Sequence, residues 1–299
     1  MGSINATMRI ILFIFLTMFA FQTQAQYKKY NRSKPKNSMA QGTGYAYWGY
    51  NRSAYTKSNL RIESSSYDFT LNGVKATDRP STKIGEYVSF NKITVPQLNL
   101  RVGYNFKNYW NVSLGYDHMK YVMVHGPNYQ LIGNTDAGFN TTQPLNGYYS
   151  SVNTVTEEEV FHYENSNGMN YIRAELSRVR NLIRNRADTY TMTWIWGLSS
   201  GVILSFNDFT YNGTKTMSTT SLSGIAGSFH TGMRFEFWKH IFLQANTSAG
   251  YIVQHFVKIR PDEYDAFARQ RFAYIEGNIV LGCLFYIRPV NDCNSCPHW

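Results

Sequence analysis

Beyond residue 21 the chain has no apolar run approaching the ~20 residues that carry a helix across a bilayer. A helix-based membrane protein is therefore excluded. Charge is also scarce: Asp, Glu, Lys and Arg make up 16% of the sequence, against roughly 25% in ordinary soluble domains. Cysteine is limited to Cys283, Cys293 and Cys296, too few for a fold built on disulfides. No phosphate-binding glycine loop, nucleophile elbow or metal-ligand pair is present. Sequence motifs thus give no reaction, no cofactor and no metal.

Aromatic residues are plentiful, at 16% of the chain, in a background of Gly, Asn, Ser and Thr. Barrel strands that alternate lipid-facing with lumen-facing residues have this mixture, aromatic-rich yet never strongly hydrophobic over a window.

The N-terminus reads as a signal peptide over residues 1–25. Arg9 precedes the apolar run Ile10 to Phe21, and Thr23-Gln24-Ala25 places small residues at the two positions a signal peptidase reads. Cleavage would leave Gln26, with no cysteine nearby for a lipid anchor. Residues 26–41 hold Lys28, Lys29, Arg32, Lys34 and Lys36 beside Pro35, which predicts a solvated basic periplasmic segment. The net charge of +10 looks for anionic lipid phosphates. An exported chain without a basic helix or stacking motif has no use for nucleic acid.

Strict alternation marks the strands. Leu98, Leu100, Val102, Tyr104 and Phe106 alternate with Asn99, Arg101, Gly103 and Asn105. After a turn at Lys107-Asn108, Trp110, Val112, Leu114 and Tyr116 alternate with Asn111, Ser113, Gly115 and Asp117. A second hairpin repeats the pattern from Ser228 to Gln254 around Lys239-His240. Phe106, Tyr109 and Trp110 at one turn, and Phe237, Trp238 and Phe242 at the other, are expected to form an interfacial girdle. Further strands are predicted near residues 43–51, 170–179, 189–206 and 271–287.

The count predicts an all-β, closed antiparallel transmembrane barrel of about eight strands over residues 42–287. Short turns near Lys107, Arg184 and Lys239 alternate with long connections at 52–95, 125–168, 207–221 and 259–270. Short turns belong to the periplasmic side and long loops to the outside, so both termini are expected in the periplasm. Residues 288–299 form a C-terminal tail. In the first long connection the stretch from Tyr67-Asp68-Phe69-Thr70-Leu71 through Asp78-Arg79-Pro80 alternates too, and is expected to extend the barrel above the membrane.

Near the end, Gly282, Phe285 and Ile287 are spaced like the assembly signal of outer-membrane barrels. With the strand pattern, they resemble the small outer-membrane barrel class of OmpA-like, OmpW-like and lipid-A-modifying proteins. The expected mature Gln26 and the Asn- and Tyr-rich loops resemble proteins of the Bacteroidota. The resemblance implies a bacterial outer-membrane location.

The polar strand faces collect Arg101, Asp117, Arg173, Glu175, His230, Arg234, Glu236 and Glu276. An eight-stranded barrel is only wide enough to be filled by side chains, and buried charges must be paired. The expectation is an Arg–Glu network that plugs the lumen, not a general pore.

Chemical sites are few. His118 should face outward with Lys120, while Asp117 faces in. The resemblance to lipid-A-modifying barrels implies that such a histidine serves as a general base with Ser and an acidic partner, but His118 has no His-x-Ser on its strand. The competing role is contact with lipopolysaccharide phosphates. His255, followed by Lys258 and Arg260, invites the same two readings. Glu157, Glu158, Glu159, His162 and Glu164 form an acidic loop without spaced Ca²⁺ ligands. Cys293 and Cys296 are placed for a local disulfide.

The leading functional expectation is an integral barrel that presents external loops for binding or for assembly with other envelope proteins. Its surroundings would be outer-membrane lipids and lipopolysaccharide. The alternatives are an outer-membrane lipid A or phospholipid acyl hydrolase or acyltransferase, and a narrow channel for small apolar molecules. A His cluster with Ser or a carboxylate on the outer rim would favour the enzyme, and an apolar, laterally open lumen the channel.

Overall fold

The computed structural model describes residues 38–80, 96–185 and 189–287. Their strands, in chain order, are β1 (Thr43–Tyr55), β2 (Ser58–Glu63), β3 (Asp68–Val74), β4 (Ala76–Thr77), β5 (Leu98–Lys107), β6 (Trp110–Met123) and β7 (Asn128–Thr135). They continue with β8 (Gly147–Val155), β9 (Phe161–Arg184), β10 (Tyr190–Tyr211), β11 (Thr214–Phe237), β12 (Ile241–Lys258) and β13 (Phe267–Tyr286). No helix among the described residues is long and apolar enough to cross a membrane.

Eight strands close an antiparallel ring in the order β1, β5, β6, β9, β10, β11, β12, β13, with β13 paired back to β1 from Thr43↔Tyr286 to Tyr55↔Tyr274. The ring leaves no free edge around its girth, which is what allows a sheet to sit in hydrocarbon. The turns β5–β6, β9–β10 and β11–β12 lie at one end, together with Thr43 and Tyr286. This is the turn end, and the opposite rim is the loop end.

Strand alternation separates two environments. Leu100, Val102, Leu114, Leu198, Ile279 and Leu281 point outward and are exposed, whereas Asn99, Arg101, Ser113, Asp117, Glu276 and Asn278 point inward and are buried. On β13 the outward apolar face runs from Ile275 to Phe285. At ~3.3 Å per residue and a tilt of ~40°, that span covers about 25 Å in height, the thickness of a barrel's lipid belt. An apolar outside around a polar inside is the architecture of a transmembrane β-barrel.

Several segments bear on the sequence expectation. Residues 207–221 form no long loop, because β10 and β11 run on to a two-residue turn. Asn212 and Gly213 have φ of 52° and 70° there, the Asn-Gly pairing that a type I′ hairpin turn requires. Strands continue above the ring, as expected for the stretch from Tyr67 and beyond the expectation at 58–63 and 125–168: β2 pairs with the start of β13, and β3, β7 and β8 add to it in turn. Leu60, Ile62, Phe69, Leu71, Tyr129 and Leu131 alternate along them and face a buried aromatic core shared with Phe161, Tyr163, Phe209 and Tyr211. Phe242 is fully buried inside the barrel and takes no part in an interfacial girdle. It shares inward parity with Gln244 and packs on Tyr45 and Tyr47. Met39, within the segment read as a solvated leader, is buried against Val179 and Ile195.

Candidate functional site

The lumen is filled in layers. Met39, Val179 and Ile195 form an apolar cluster near the turns, and Tyr45, Tyr47, Phe242, Val280 and Leu284 form a second. The Arg234 guanidinium lies 4.1 Å from the Phe242 ring centroid and 4.8 Å from that of Tyr45. Its Nε donates to Gln244 Oε1 at 2.6 Å. Thus a cation is held by ring faces and a neutral amide. Glu236 is buried nearby and accepts from Thr193 Oγ1 at 3.4 Å.

An ionic cluster occupies the middle of the barrel. Arg101 on β5 grips Asp117 on β6 with two contacts of 2.7 Å. Its Nε reaches Glu175 Oε1 on β9 at 2.9 Å. Arg173, two residues from Glu175 on the same inward face, bridges the same two carboxylates at 3.0 and 2.9 Å. Several of the carboxylate oxygens accept from further donors, though Glu276 Oε2 has no hydrogen-bond partner among the described residues. Ser113 Oγ donates to Glu175 Oε2 at 2.8 Å, and Asn99 Nδ2 donates to Asp117. Asn99 and Asn278 both donate to Glu276 Oε1, at 3.1 and 3.0 Å. Two guanidiniums thus face two carboxylates at ion-pair distance, the pairing under which buried charge is tolerated, although Arg173 Nε makes no hydrogen bond of good geometry.

The inward residues therefore fall into two groups. Arg101, Asp117, Arg173 and Glu175 share the ion-pair cluster, with Glu276 attached through Asn99. His230 contacts Ser177 Oγ at 2.9 Å, and Arg234 and Glu236 occupy the neighbouring layer toward the turns. The internal void among Arg173, Glu175, His230 and Arg234 measures about 10 Å³, room for about one water. Above it the loop-end core of Met119, Met169, Tyr171 and Phe272 continues the filling. Among the described residues, these layers stack one above another along the axis.

His118 follows the predicted parity but not the predicted exposure. Register pairs it with Asn170 on the outward side, yet it is only 3% exposed. Its Nδ1 shares a hydrogen bond of 2.7 Å with Asn170 Oδ1, which also accepts from Tyr116 Oη. Neither Ser nor carboxylate takes part. His255 is exposed at a bulge between Gln254 and Val257 of β12. Lys258 Nζ and Arg260 Nη2 are tied to the carbonyls of Pro261 and Tyr211. Cys283 is an exposed free thiol. Cys293 and Cys296 lie outside the described residues.

A polar chain at the loop end was only half visible in the sequence. Thr156 Oγ1 lies 2.9 Å from His125 Nδ1, and His125 Nε2 lies 2.7 Å from His162 Nδ1. His162 Nε2 reaches Glu164 Oε2 at 3.1 Å. Arg79 Nη1 and Ser166 Oγ also bind Glu164, at 3.1 and 2.7 Å. Burial opposes ionisation of Glu164, but His162, Ser166 and Arg79 outweigh it and hold the carboxyl below its usual range. Burial, then the neighbouring His162, lowers the His125 imidazole. The chain ties the segment after β6 to β9 and to the segment after β4. His162 and Glu164 stood out in the acidic loop, whereas His125 and Arg79 had no local signal. Among the described residues, no group of three or more His, Cys, Asp or Glu could hold a metal ion.

No protein-family model and no curated protein sequence matches the chain. Similar solved structures include the outer-membrane protein AlkL in lipid bilayers, at 10% identity and a TM-score of 0.37, covering 89% of this chain and all of that one. The outer-membrane protein OprG from Pseudomonas aeruginosa is 8% identical with a TM-score of 0.36, covering 84% of this chain and all of that one. Neisserial surface protein A is 10% identical with a TM-score of 0.32, covering 83% and 98%. On its own ring of strands, apolar belt and packed polar lumen, the chain has the fold of the small eight-stranded outer-membrane β-barrels.

Proposed function

We propose that this chain is an integral outer-membrane protein whose sealed barrel carries a rigid loop-end module for binding or for assembly with other envelope components. The loop end faces outside, and both termini face the periplasm. The observation that carries this reading is the four-strand extension β2-β3-β7-β8, built on the rim of a filled barrel and packed over its own aromatic core. A filled lumen does not conduct, so the conspicuous surface is the rim. Strand β8 ends the extension and pairs only with β7 among the described residues. Its nine residues, Gly147–Val155, contain no charge and no proline. Natural sheets usually blunt such an edge, and an unblunted one can accept an extended partner strand.

Labelling of intact cells tests the orientation. In a chain with Cys283, Cys293 and Cys296 replaced by serine, Tyr148→Cys (Tyr148 is 74% exposed) should react with a membrane-impermeant maleimide. Lys107→Cys, at the turn end, should react only after lysis. The reverse pattern would contradict the proposal.

One arrangement supports the acyl hydrolase as a second reading. Thr156, His125, His162 and Glu164 follow the order hydroxyl, imidazole, imidazole, carboxylate, which could draw a proton from the hydroxyl. Against it, Thr156 is only 1% exposed, so its oxygen is shielded from a substrate. Release of fatty acid from phospholipid–detergent micelles, abolished in Thr156→Val, would establish the enzyme. Equal and negligible release by both proteins would leave the chain as a structural tie.

A further inference from the structure

The outer wall carries a pocket of about 560 Å³ at the fork where β2 departs from β13. Lys57, Arg61, Tyr251, His255, Arg269 and Arg271 contribute to its lining. Two of these cations are compensated. Arg61 holds Asp68 at 2.8 Å and Glu63 at 2.9 Å, and Arg269 Nε holds the other oxygen of Glu63 at 2.9 Å. Lys57 and Arg271 have no ion pair among the described residues, and His255 stands beside them. The pocket is therefore concave, built on strands, and cationic in excess.

Its height on the barrel narrows the ligand. Arg271 shares the outward face of β13 with Ile275, Ile279 and Leu281, all lipid-facing. Four residues separate Arg271 from Ile275, ~13 Å along the strand and about 10 Å in height at a tilt of ~40°. Tyr251, half exposed, pairs with Ala273 between these levels. A molecule that fills the pocket would have anionic oxygens against Lys57 and Arg271, and an apolar body lying down over Tyr251 and Ile275.

We infer that this pocket binds the phosphate of a membrane amphiphile, a phosphorylated lipid of the outer leaflet. A guanidinium offers paired N–H donors to phosphate oxygens, and the lysine adds a mobile point charge. The apolar face below distinguishes the amphiphile from free phosphate, which would use only the upper half. The assignment rests on the loop end facing outward. Its own test is independent of orientation, because it uses folded protein in detergent.

The experiment is native mass spectrometry of the full-length protein with bisphosphorylated lipid A, with the same lipid stripped of phosphate, and with inorganic phosphate alone. The intact lipid should bind about tenfold or more tightly than the dephosphorylated one, as expected for one charge-assisted contact. Lys57→Gln/Arg271→Gln should abolish that preference, whereas Arg271→Lys should keep most of it. Lys107→Gln/Arg180→Gln, which removes two cations at the turn end, should leave it unchanged. Heat-modifiable gel migration confirms that each variant is folded. A preference that survives in the fork double variant would overturn the site. Inorganic phosphate that binds as tightly as the lipid would overturn the amphiphile assignment.

Discussion

Removal of Arg101 tests whether the ionic cluster holds the barrel together. Its guanidinium is fully buried and contacts both Asp117 and Glu175. In Arg101→Met the methionine covers some of the stem volume, but only Arg173 remains beside two buried carboxylates. Breaking a buried ion pair by deleting one partner costs about 3–5 kcal/mol. That lowers the folding equilibrium constant by roughly two to almost four orders of magnitude. Equilibrium urea unfolding in detergent micelles, followed by tryptophan fluorescence, reads the loss. Adding Glu175→Gln should recover at least about 1 kcal/mol, because one guanidinium again faces one carboxylate, as coupled neighbours do in a double-mutant cycle. A single variant within about 0.5 kcal/mol of the parent, or strict additivity of the two changes, would refute the reasoning.

Other consequences follow from the same packing. The Arg101 side chain lies over Gly115, where an added Cβ would sit 2.4 Å from Nε and 2.5 Å from Cδ. Gly115→Ala should therefore destabilise by about 1–3 kcal/mol through overpacking, measured in the same unfolding assay; no loss would mean the guanidinium does not lie there. Phe242→Ala should cost about 3–5 kcal/mol by opening a cavity beneath Tyr45 and Tyr47. An exposed girdle position would cost far less. The loop-end chain should loosen in acid. Both His125 and Glu164 titrate below their ordinary values in the fold. The unfolded segment thus takes up protons first, below about pH 6.5 for the histidine and about pH 4.3 for the glutamate. Stability contributed by each is present above those values and is lost as pH falls through the lowered folded ones. Amide exchange in β7 and β9 should rise between neutral and pH 4, after correction for intrinsic rates, and a flat profile would contradict the tie.

The barrel could be read from sequence because each membrane strand is solvated differently on its two faces. Leu100 and Val102 meet lipid while Asn99 and Arg101 meet the lumen, and the alternation records that difference. The same rule places Phe242 inside, in step with Gln244, but its nearness to Phe237 and Trp238 suggests a girdle to the eye. Of the loop-end strands, the alternation at Phe69 and Leu71 was legible as an extension of the barrel, and the others were harder to see. Leu60 and Ile62 do alternate, but their run is short, and the pairing of β2 with β13 joins distant segments. Asn212-Gly213 carried a local hairpin signal that outweighs the length of the segment around it. The His125–His162 contact and the fork pocket had no such signal. Each is made by residues far apart in sequence, brought together only when β2 leaves β13 and the segment after β6 folds back on β9.

The most direct test of the account is heat-modifiable gel migration of outer-membrane fractions. The account predicts a band confined to that fraction that runs faster unboiled than boiled, because the closed barrel resists detergent unfolding until heated. A soluble periplasmic protein whose migration does not change on boiling would contradict it.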